Sequence, residues 1–512
     1  MAEESDETPI DPSPPPQPER RKLRLGRLLA FAFTAAWLLV ALWNLYKPLP
    51  DGMRVRGEVV ETPLNQLQFL SDVTGADAFG APVVRQQIFD AMLKMIGDAR
   101  QYLVLDFFLF NSQHGAAIDS RPRRELSIEL RDALLKRKRE VPSLRVLVVT
   151  DPINDVYGGL PSRDFAELRG AGIDVVPVDL DALRDSNPIY SAFWRLTMKW
   201  WSGDGGGEAS LPNPLDAGPE QVSFGAWGRL LNFKANHRKL IVCDDGHGGI
   251  TGIVSSANPH DASSLHSNVA LKLSGAALAP LLASELTLAR DAGWRGAWTP
   301  SPAAPGAVPS PENSASVQIL TEGEIGAAIL RNLTGTRVGD SIDIAMFYLS
   351  ERNVIQALLA AAKRGVAVRV ILDPNKDAFG HTKDGIPNRS VATELAGASD
   401  GAIKVRWFRT HGEQFHSKFL GVRTANEFWF TLGSANLTRR NLDDFNLEAN
   451  VAASVPLNSE IASQIDTWFE SIWNNHGPPD LEYTSESGAY ADPSQGTYWL
   501  YRIMEATGLS TF

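Results

Sequence analysis

The feature that most constrains this chain is a short apolar stretch that occurs twice. Residues 233–245 read F-K-A-N-H-R-K-L-I-V-C-D-D, and residues 414–423 read Q-F-H-S-K-F-L-G-V-R. Each copy holds a His and a Lys two positions apart, His237 with Lys239 and His416 with Lys418. In an extended strand residues i and i+2 share a face, so each imidazole projects beside an ammonium. Each copy then runs into a small polar turn, G-I-V-S-S-A-N at 252–258 and G-S-A-N at 433–436. His237 to Asn258 spans 21 positions and His416 to Asn436 spans 20. The same chemistry at nearly the same interval marks a duplicated unit.

The flanking pattern repeats as well. Residues 86–96 carry Ile88, Met92 and Ile96 four apart, the spacing of one helix face, and lead into an apolar strand at 102–110. A helix at 126–138 and a strand at 144–150 follow, ending on Asp151-Pro152. The later half gives helix 325–333, strand 341–348, helix 353–364 and strand 367–372, then Asp373-Pro374. Such alternation predicts an α/β fold with a covered sheet. Residues 298–316, with five prolines among Ala and Ser, read as the connection between halves. Asp151 to His237 is 86 positions against 43 from Asp373 to His416, so the first half carries an insertion. Within it, residues 193–201 (F-W-R-L-T-M-K-W-W) put Trp194, Met198 and Trp201 on one stripe if helical. Core packing is the ordinary reading of that stripe. An element dipping into lipid is the alternative, because Trp beside Arg195 and Lys199 suits the headgroup zone.

Paired H-x-K strands, each followed by a Gly/Ser-x-Asn turn, resemble the phospholipase D superfamily, whose members set two H-x-K-x4-D motifs across one active site. His237, Lys239 and Asp244 fit the full motif, whereas the second copy keeps His416 and Lys418 but has Arg423 where the family has Asp. The second half has the family's Asn-x-Glu as Asn446-Leu447-Glu448; the ungapped equivalent in the first is Asn268-Val269-Ala270. The resemblance implies two phospholipase D-like α/β/α sandwich domains, at 65–295 and 317–477, with a linker at 296–316. A C-terminal tail at 478–512 receives no assignment.

The resemblance also implies a mechanism. Lys239 and Lys418 would hold the non-bridging oxygens of a phosphodiester, with Asn258, Ser434 and Asn436 adding hydrogen bonds. One imidazole attacks phosphorus to give a phosphohistidine and the other protonates the departing alcohol. Water then completes hydrolysis, and an alcohol completes headgroup transfer of the cardiolipin synthase kind. Glycerophospholipids are the implied substrates, Asp244 looks like a supporting residue, and the arrangement calls for no metal and no cofactor. With Glu448 as the one motif carboxylate able to orient an imidazole, His416 is favoured as nucleophile and His237 as acid. Resemblance to enzymes in which the first-half His attacks favours the reverse.

Charge separates the remaining readings. The net charge of −11 repels polyphosphate backbones, which makes nucleic acid a poor partner and a nuclease the second reading. The two missing carboxylates support a third, a catalytically degenerate envelope scaffold. Cys243 is the sole cysteine, so no internal disulfide forms, and its apolar strand predicts a packed thiol.

The N-terminus carries its own signal. Residues 1–19, rich in Pro and acidic groups, predict disorder. Arg20, Arg21, Lys22, Arg24 and Arg27 then precede 19 uncharged residues at 28–46, close to the roughly 20 needed to cross a bilayer as a helix. The positive-inside bias predicts a single-pass membrane anchor with residues 1–27 cytoplasmic and the catalytic part on the far side, Trp43 and Tyr46 lying at the far interface. A cleaved signal peptide and a buried core helix are the rivals; the run is long, and no A-x-A-like site follows it.

Overall fold

The two repeats form two mixed sheets in the computed structural model, which describes residues 18–76, 82–113, 123–202, 205–216, 218–296, 298, 313–378, 381–476, 481–510 and 512. The disorder expected of the tail at 1–27, strongest over 1–19, lies outside those residues up to position 17. Pro18–Tyr46 is one helix, so positions 18–27 are ordered rather than disordered. Most of the expected linker also lies outside the described residues.

The first sheet has eight strands, in the order Pro82–Arg85, Leu67–Ala76, Asn268–Ser274, Ile250–Ser255, Lys239–Asp244, Tyr102–Phe107, Arg145–Thr150, Asp174–Pro177. The second has nine: Val60–Pro63, Ser314–Thr321, Ala449–Val455, Phe428–Gly433, Lys418–Arg423, Ser341–Met346, Ala367–Leu372, Ile403–Phe408, Thr484–Glu486. From the second strand onward the two orders correspond element by element. In each, the H-x-K strand is a central antiparallel partner, with Lys239 opposite Phe107 and Lys418 opposite Met346. Three strands beside it run parallel, which explains why Leu103-Val104-Leu105 and Val368–Leu372 read as near-continuous apolar runs rather than alternating ones.

Helices cover the outer faces. Ile88–Asp98, Leu126–Glu140 and Arg163–Gly170 share a core with the first sheet, and Gly323–Gly335, Arg352–Lys363 and Asn388–Ala398 with the second. The inner faces meet in one continuous core that takes in Val104, Leu147, Phe419 and Phe430 together with the helices Ala279–Asp291 and Glu460–Asn474. The α/β class expected from the sequence is the fold observed, with the sheets stacked across a shared interior.

Three features depart from the sequence reading. Val60–Pro63, ahead of the first half, pairs with Ser314–Thr321 and is an edge of the second sheet. The unassigned tail supplies the opposite edge, Thr484–Glu486, and the helix Gln495–Thr507, whose Tyr501 is fully buried. Residues 193–201 do not form one helix: Pro188–Leu196, capped by the Asn187 side chain, stops at Thr197, whose backbone turns out of helical geometry before Lys199–Ser202. Trp194 and Met198 still share a face, packed on Gly228, where an added Cβ would sit 3.1 Å from each.

Candidate active site

Each motif strand delivers its His and Lys to the seam between the sheets. The residue before each His is pinned by a buried Asp from the end of the strand two places away in the same sheet. Asp151 accepts from the Asn236 N–H at 2.6 Å, and Asp373 accepts from the Phe415 N–H at 2.7 Å. Burial pushes both carboxyls up to about 7, against the pull of those amides. The lysines fold back on the same turn: Lys239 Nζ donates to the His237 carbonyl at 2.7 Å and Lys418 Nζ to that of His416 at 3.0 Å. Each ammonium also lies 5.2 Å from an aromatic centroid, Phe108 for Lys239 and Phe347 for Lys418. The same two rings pack 5.0 Å from His237 and His416.

The halves exchange supports across the seam. Leu447 bridges Asn236, and Ser267 bridges Phe415, so the next residue of each half meets the histidine of the other. Glu448, fully buried, accepts from His237 Nδ1 at 2.9 and 3.0 Å. Asn268 Oδ1 stands 3.1 Å from His416 Nδ1. The Asn268 amide donates to the His266 carbonyl, which fixes its orientation with Oδ1 toward His416. Both imidazoles therefore carry their proton on Nδ1 and turn Nε2 outward.

This geometry corrects two sequence readings. Glu448 orients His237, not His416, because the Asn-x-Glu strand crosses to the opposite half. Its counterpart in the first half is Asn268 and not Ala270. Ser434 donates to Glu448 at 2.5 Å, and Ser256 donates to Asn268 at 3.0 Å, each from the equivalent turn. The loop from turn to strand is two residues longer in the second half, which shifts an ungapped alignment by that amount.

Two expected site residues stand elsewhere. Asp244 lies at the far end of its strand, five residues or about 16 Å from Lys239 at strand rise. It accepts the N–H groups of Arg100, Gln101, Tyr102 and Gly246 at 2.8 to 3.1 Å, closing a loop and touching no catalytic group. Arg423, at the equivalent position, pairs with Asp466 and stacks 3.5 Å from the Phe428 ring centroid. Ser434 spends its proton on Glu448, so its role is to hold that carboxylate rather than to bind phosphate.

His237, His416, Asn258 and Asn436 all line one cavity of about 440 Å³ between the halves. Asn258 Oδ1 accepts from the Leu109 N–H, while Asn436 Oδ1 has no protein partner among the described residues. Leu109, Ile153, Leu215 and Leu230 form an apolar side; Gln113, His260, His266, Lys383 and Gln414 form a polar one, unsuspected from the sequence. No carboxylate is among the described lining residues.

The electrostatics are those of a site lacking an anion. Burial, opposed by Glu448, lowers His237 to about 4, which keeps Nε2 a free lone pair at neutral pH. Burial lowers Lys239 to about 7. Burial and then the Lys239 charge hold Lys418 well below its ordinary value. His416 is held down by burial and then by Lys418, His266, Lys239 and His237. Four imidazoles and the Lys383 ammonium line the cavity with no carboxylate among the described lining residues, which favours a negatively charged occupant.

Comparison with known proteins bears on part of the sequence and on the fold. Residues 329–473 match the family model described as cardiolipin synthase, PLD-like domain. The crystal structure of phosphatidylserine synthase from Haemophilus influenzae Rd KW20 superposes with a TM-score of 0.54 at 14% identity, covering 92% of this chain and 98% of that one. Nuc from Salmonella typhimurium, a phospholipase D family member, matches 31% of this chain and 95% of its own at 21% identity, with a TM-score of 0.25. The search of curated proteins found no match.

Proposed function

We propose that the chain is a member of the phospholipase D superfamily, which the match of residues 329–473 and the paired H-x-K motifs support, and that it is a membrane-anchored phosphodiesterase or phosphatidyltransferase acting on glycerophospholipids. The observation that carries the reading is the pair of imidazoles facing one cavity, each with its Nδ1 proton held from the opposite half. With the anionic diester bound, His416 takes up a second proton, on Nε2; His237 Nε2 then attacks phosphorus, the bond from phosphorus to the headgroup oxygen breaks, and the His416 imidazolium gives that oxygen its proton. The Glu448 carboxylate offsets the positive charge that develops on His237. Lys239, Lys418 and the amides of Asn258 and Asn436 offset charge on the equatorial oxygens. Water or an alcohol then attacks phosphorus, giving its proton to His416 as the P–N bond breaks.

The carboxylate on His237 and the neutral amide on His416 support His237 as nucleophile. The polar side, with Lys383 and no facing carboxylate, suits a hydroxylated or anionic headgroup better than a cationic one. The apolar side suits the glycerol end of the acyl chains. Among the described residues one helix, Lys22–Tyr46, is long and apolar enough to cross a bilayer, and it supports anchoring.

The test is turnover of phosphatidylglycerol and phosphatidylcholine vesicles by the full chain, with and without a primary alcohol, and with DNA alongside. Headgroup release or transfer that disappears in both His237→Asn and His416→Asn is expected. Turnover surviving in His237→Asn, or cleavage of DNA alone, contradicts the proposal.

A further inference from the structure

The N-terminal helix is not a free tether. Residues 22–34 stand clear of the protein, but from Ala35 onward one stripe (Trp37, Val40, Ala41, Asn44) lies against the body. The partner is the Pro188–Leu196 helix of the insertion. The contacts form a depth scale. At the helix end the polar groups gather: Asp185 N–H donates to the Asn44 carbonyl at 2.9 Å, Lys47 Nζ to that of Asp181 at 2.8 Å, and Arg184 to that of Lys47 at 2.8 Å. Seven residues earlier, or ~10 Å along the axis, Trp37 Nε1 donates to the Ile189 carbonyl at 3.0 Å.

The apolar residues clear of the body, 28–34, cover only ~10 Å at helical rise, against a hydrocarbon core of ~30 Å. If this helix spans, residues 35–46 must lie in the bilayer, and what touches them lies there too. Resting on the membrane reading above, we infer that the catalytic body is seated in the leaflet, with the Pro188–Leu196 and Gln495–Thr507 helices immersed in it. Residues 35–46 cover ~18 Å at helical rise, so the seat is deeper than the ~5–10 Å that an interfacial helix reaches.

The surface fits that occupant. Ile189 and Phe193 expose about half their area, and Trp499, Leu500 and Ile503 form an exposed face on the tail helix. The two helices adjoin, since an added Cβ on Gly508 would sit 1.7 Å from the Ser186 carbonyl. Trp200 and Phe224, both largely exposed, extend the patch. The charged members of this region are turned inward: Arg195 pairs with Asp185 at 2.9 Å and Lys199 with Asp181 at 2.6 Å. The immersed helix packs on the element that walls the cavity: Tyr190 OH donates to the Gly228 carbonyl at 3.0 Å, and Leu230, two residues on, lines the cavity. On this inference a phospholipid reaches the histidines from the leaflet along the insertion. That continuity is the insertion's role.

Nitroxide labels at Phe193→Cys, Trp499→Cys and Val338→Cys in the full chain, bound to phosphatidylglycerol and phosphatidylcholine vesicles, test it. Cys243 is buried and does not compete for label. Val338 is 79% exposed and precedes Ser341–Met346, at the strand end opposite the cavity. Collision with oxygen is expected to exceed collision with a water-soluble nickel chelate at 193 and 499, and the reverse at 338. Labels at 193 and 499 as chelate-accessible as that at 338, on vesicle-bound protein, overturn the inference. Labels shielded from both reagents also overturn it, indicating a second chain over the patch. These readouts need no turnover, so an inactive enzyme leaves the inference standing while refuting the catalytic reading. As a second measure, Phe193→Asp with Trp499→Asp is expected to raise KM for vesicle substrate about tenfold and leave turnover of a soluble short-chain phosphodiester unchanged. An unchanged vesicle KM counts against immersion.

Discussion

Replacing Glu448 with Gln tests the division of labour between the two imidazoles. The carboxylate is fully buried and contacts His237 Nδ1 at 2.9 and 3.0 Å, with Ser434 and Asn441 donating to its other lone pairs. A charge pair about 4 Å apart at an effective dielectric of about 20 is worth roughly 4 kcal/mol. That energy is realised when His237 becomes cationic on bonding to phosphorus. A Gln oxygen still accepts the Nδ1 proton, which returns roughly 1 kcal/mol. The net loss of about 3 kcal/mol slows formation of the covalent intermediate by about 10² to 10³. Asn268→Ala removes only a neutral acceptor from His416 and is expected to slow the same step about tenfold or less. Rapid-quench measurement of protein-bound phosphoryl group on a radiolabelled short-chain phospholipid reads both. A loss below tenfold for Glu448→Gln, or a larger loss for Asn268→Ala, refutes the assignment of His237 as nucleophile. Chemical denaturation of both variants separates lost chemistry from lost fold.

Leaving-group chemistry separates the histidines further: with a p-nitrophenyl phosphodiester, which departs without a proton, His416→Asn should still form the covalent intermediate and His237→Asn should not. Equal loss in both argues against distinct roles. Sulfate, ionised at every pH used, should bind through the protonated lysines. Lys239 titrates near 7 in the empty site, and a bound anion raises it, so binding takes up a proton above that pH. Affinity by calorimetry should be flat below pH 7 and fall by up to about tenfold per pH unit above it; affinity constant to pH 9 contradicts the anion-deficient site. Asp244→Asn should lower unfolding free energy by about 1–3 kcal/mol, since a buried acceptor of four N–H groups is weakened. Its turnover at 25 °C should stay within about twofold, which marks Asp244 as a fold residue; a hundredfold loss of turnover in folded protein contradicts that.

What the sequence disclosed and what it hid follow from the range of the interactions. The i, i+2 placement of His237 with Lys239 and of His416 with Lys418 is local, set by strand alternation, and was legible. So was the order of helices and strands, because apolar periodicity is a property of each segment alone. The cross-half pairing of Glu448 with His237 joins residues 211 positions apart, and no local pattern reports which strand will cross. Reading Ala270 in place of Asn268 failed for a smaller reason, a two-residue difference in one loop. Asp151 and Asp373 were visible as a repeated Asp-Pro ending a strand. Their function, holding the N–H before each His, depends on a contact more than 40 residues away. The tail strand Thr484–Glu486 is three residues long and lacks any alternation of its own; it is a strand because Ile403–Phe408 offers it an edge.

The site is complete in neither half. Arg238, between His237 and Lys239 in sequence, points to the other face of its strand and is fully buried. It donates to Glu285 of the first half at 2.8 Å and to Glu322 of the second at 2.7 Å. Glu322 in turn accepts the N–H of Glu448 at 3.0 Å. The same strand therefore presents the His237 imidazole to the cavity and, one residue later, a clamp that fixes the carboxylate partner of that imidazole. Loosening the seam costs orientation of His237 and the ion pairs of a buried guanidinium together. A family match confined to residues 329–473 captures Glu448, His416 and Lys418. The imidazole that Glu448 serves lies outside that match, and the chemistry begins only where the two repeats, no longer identical, meet.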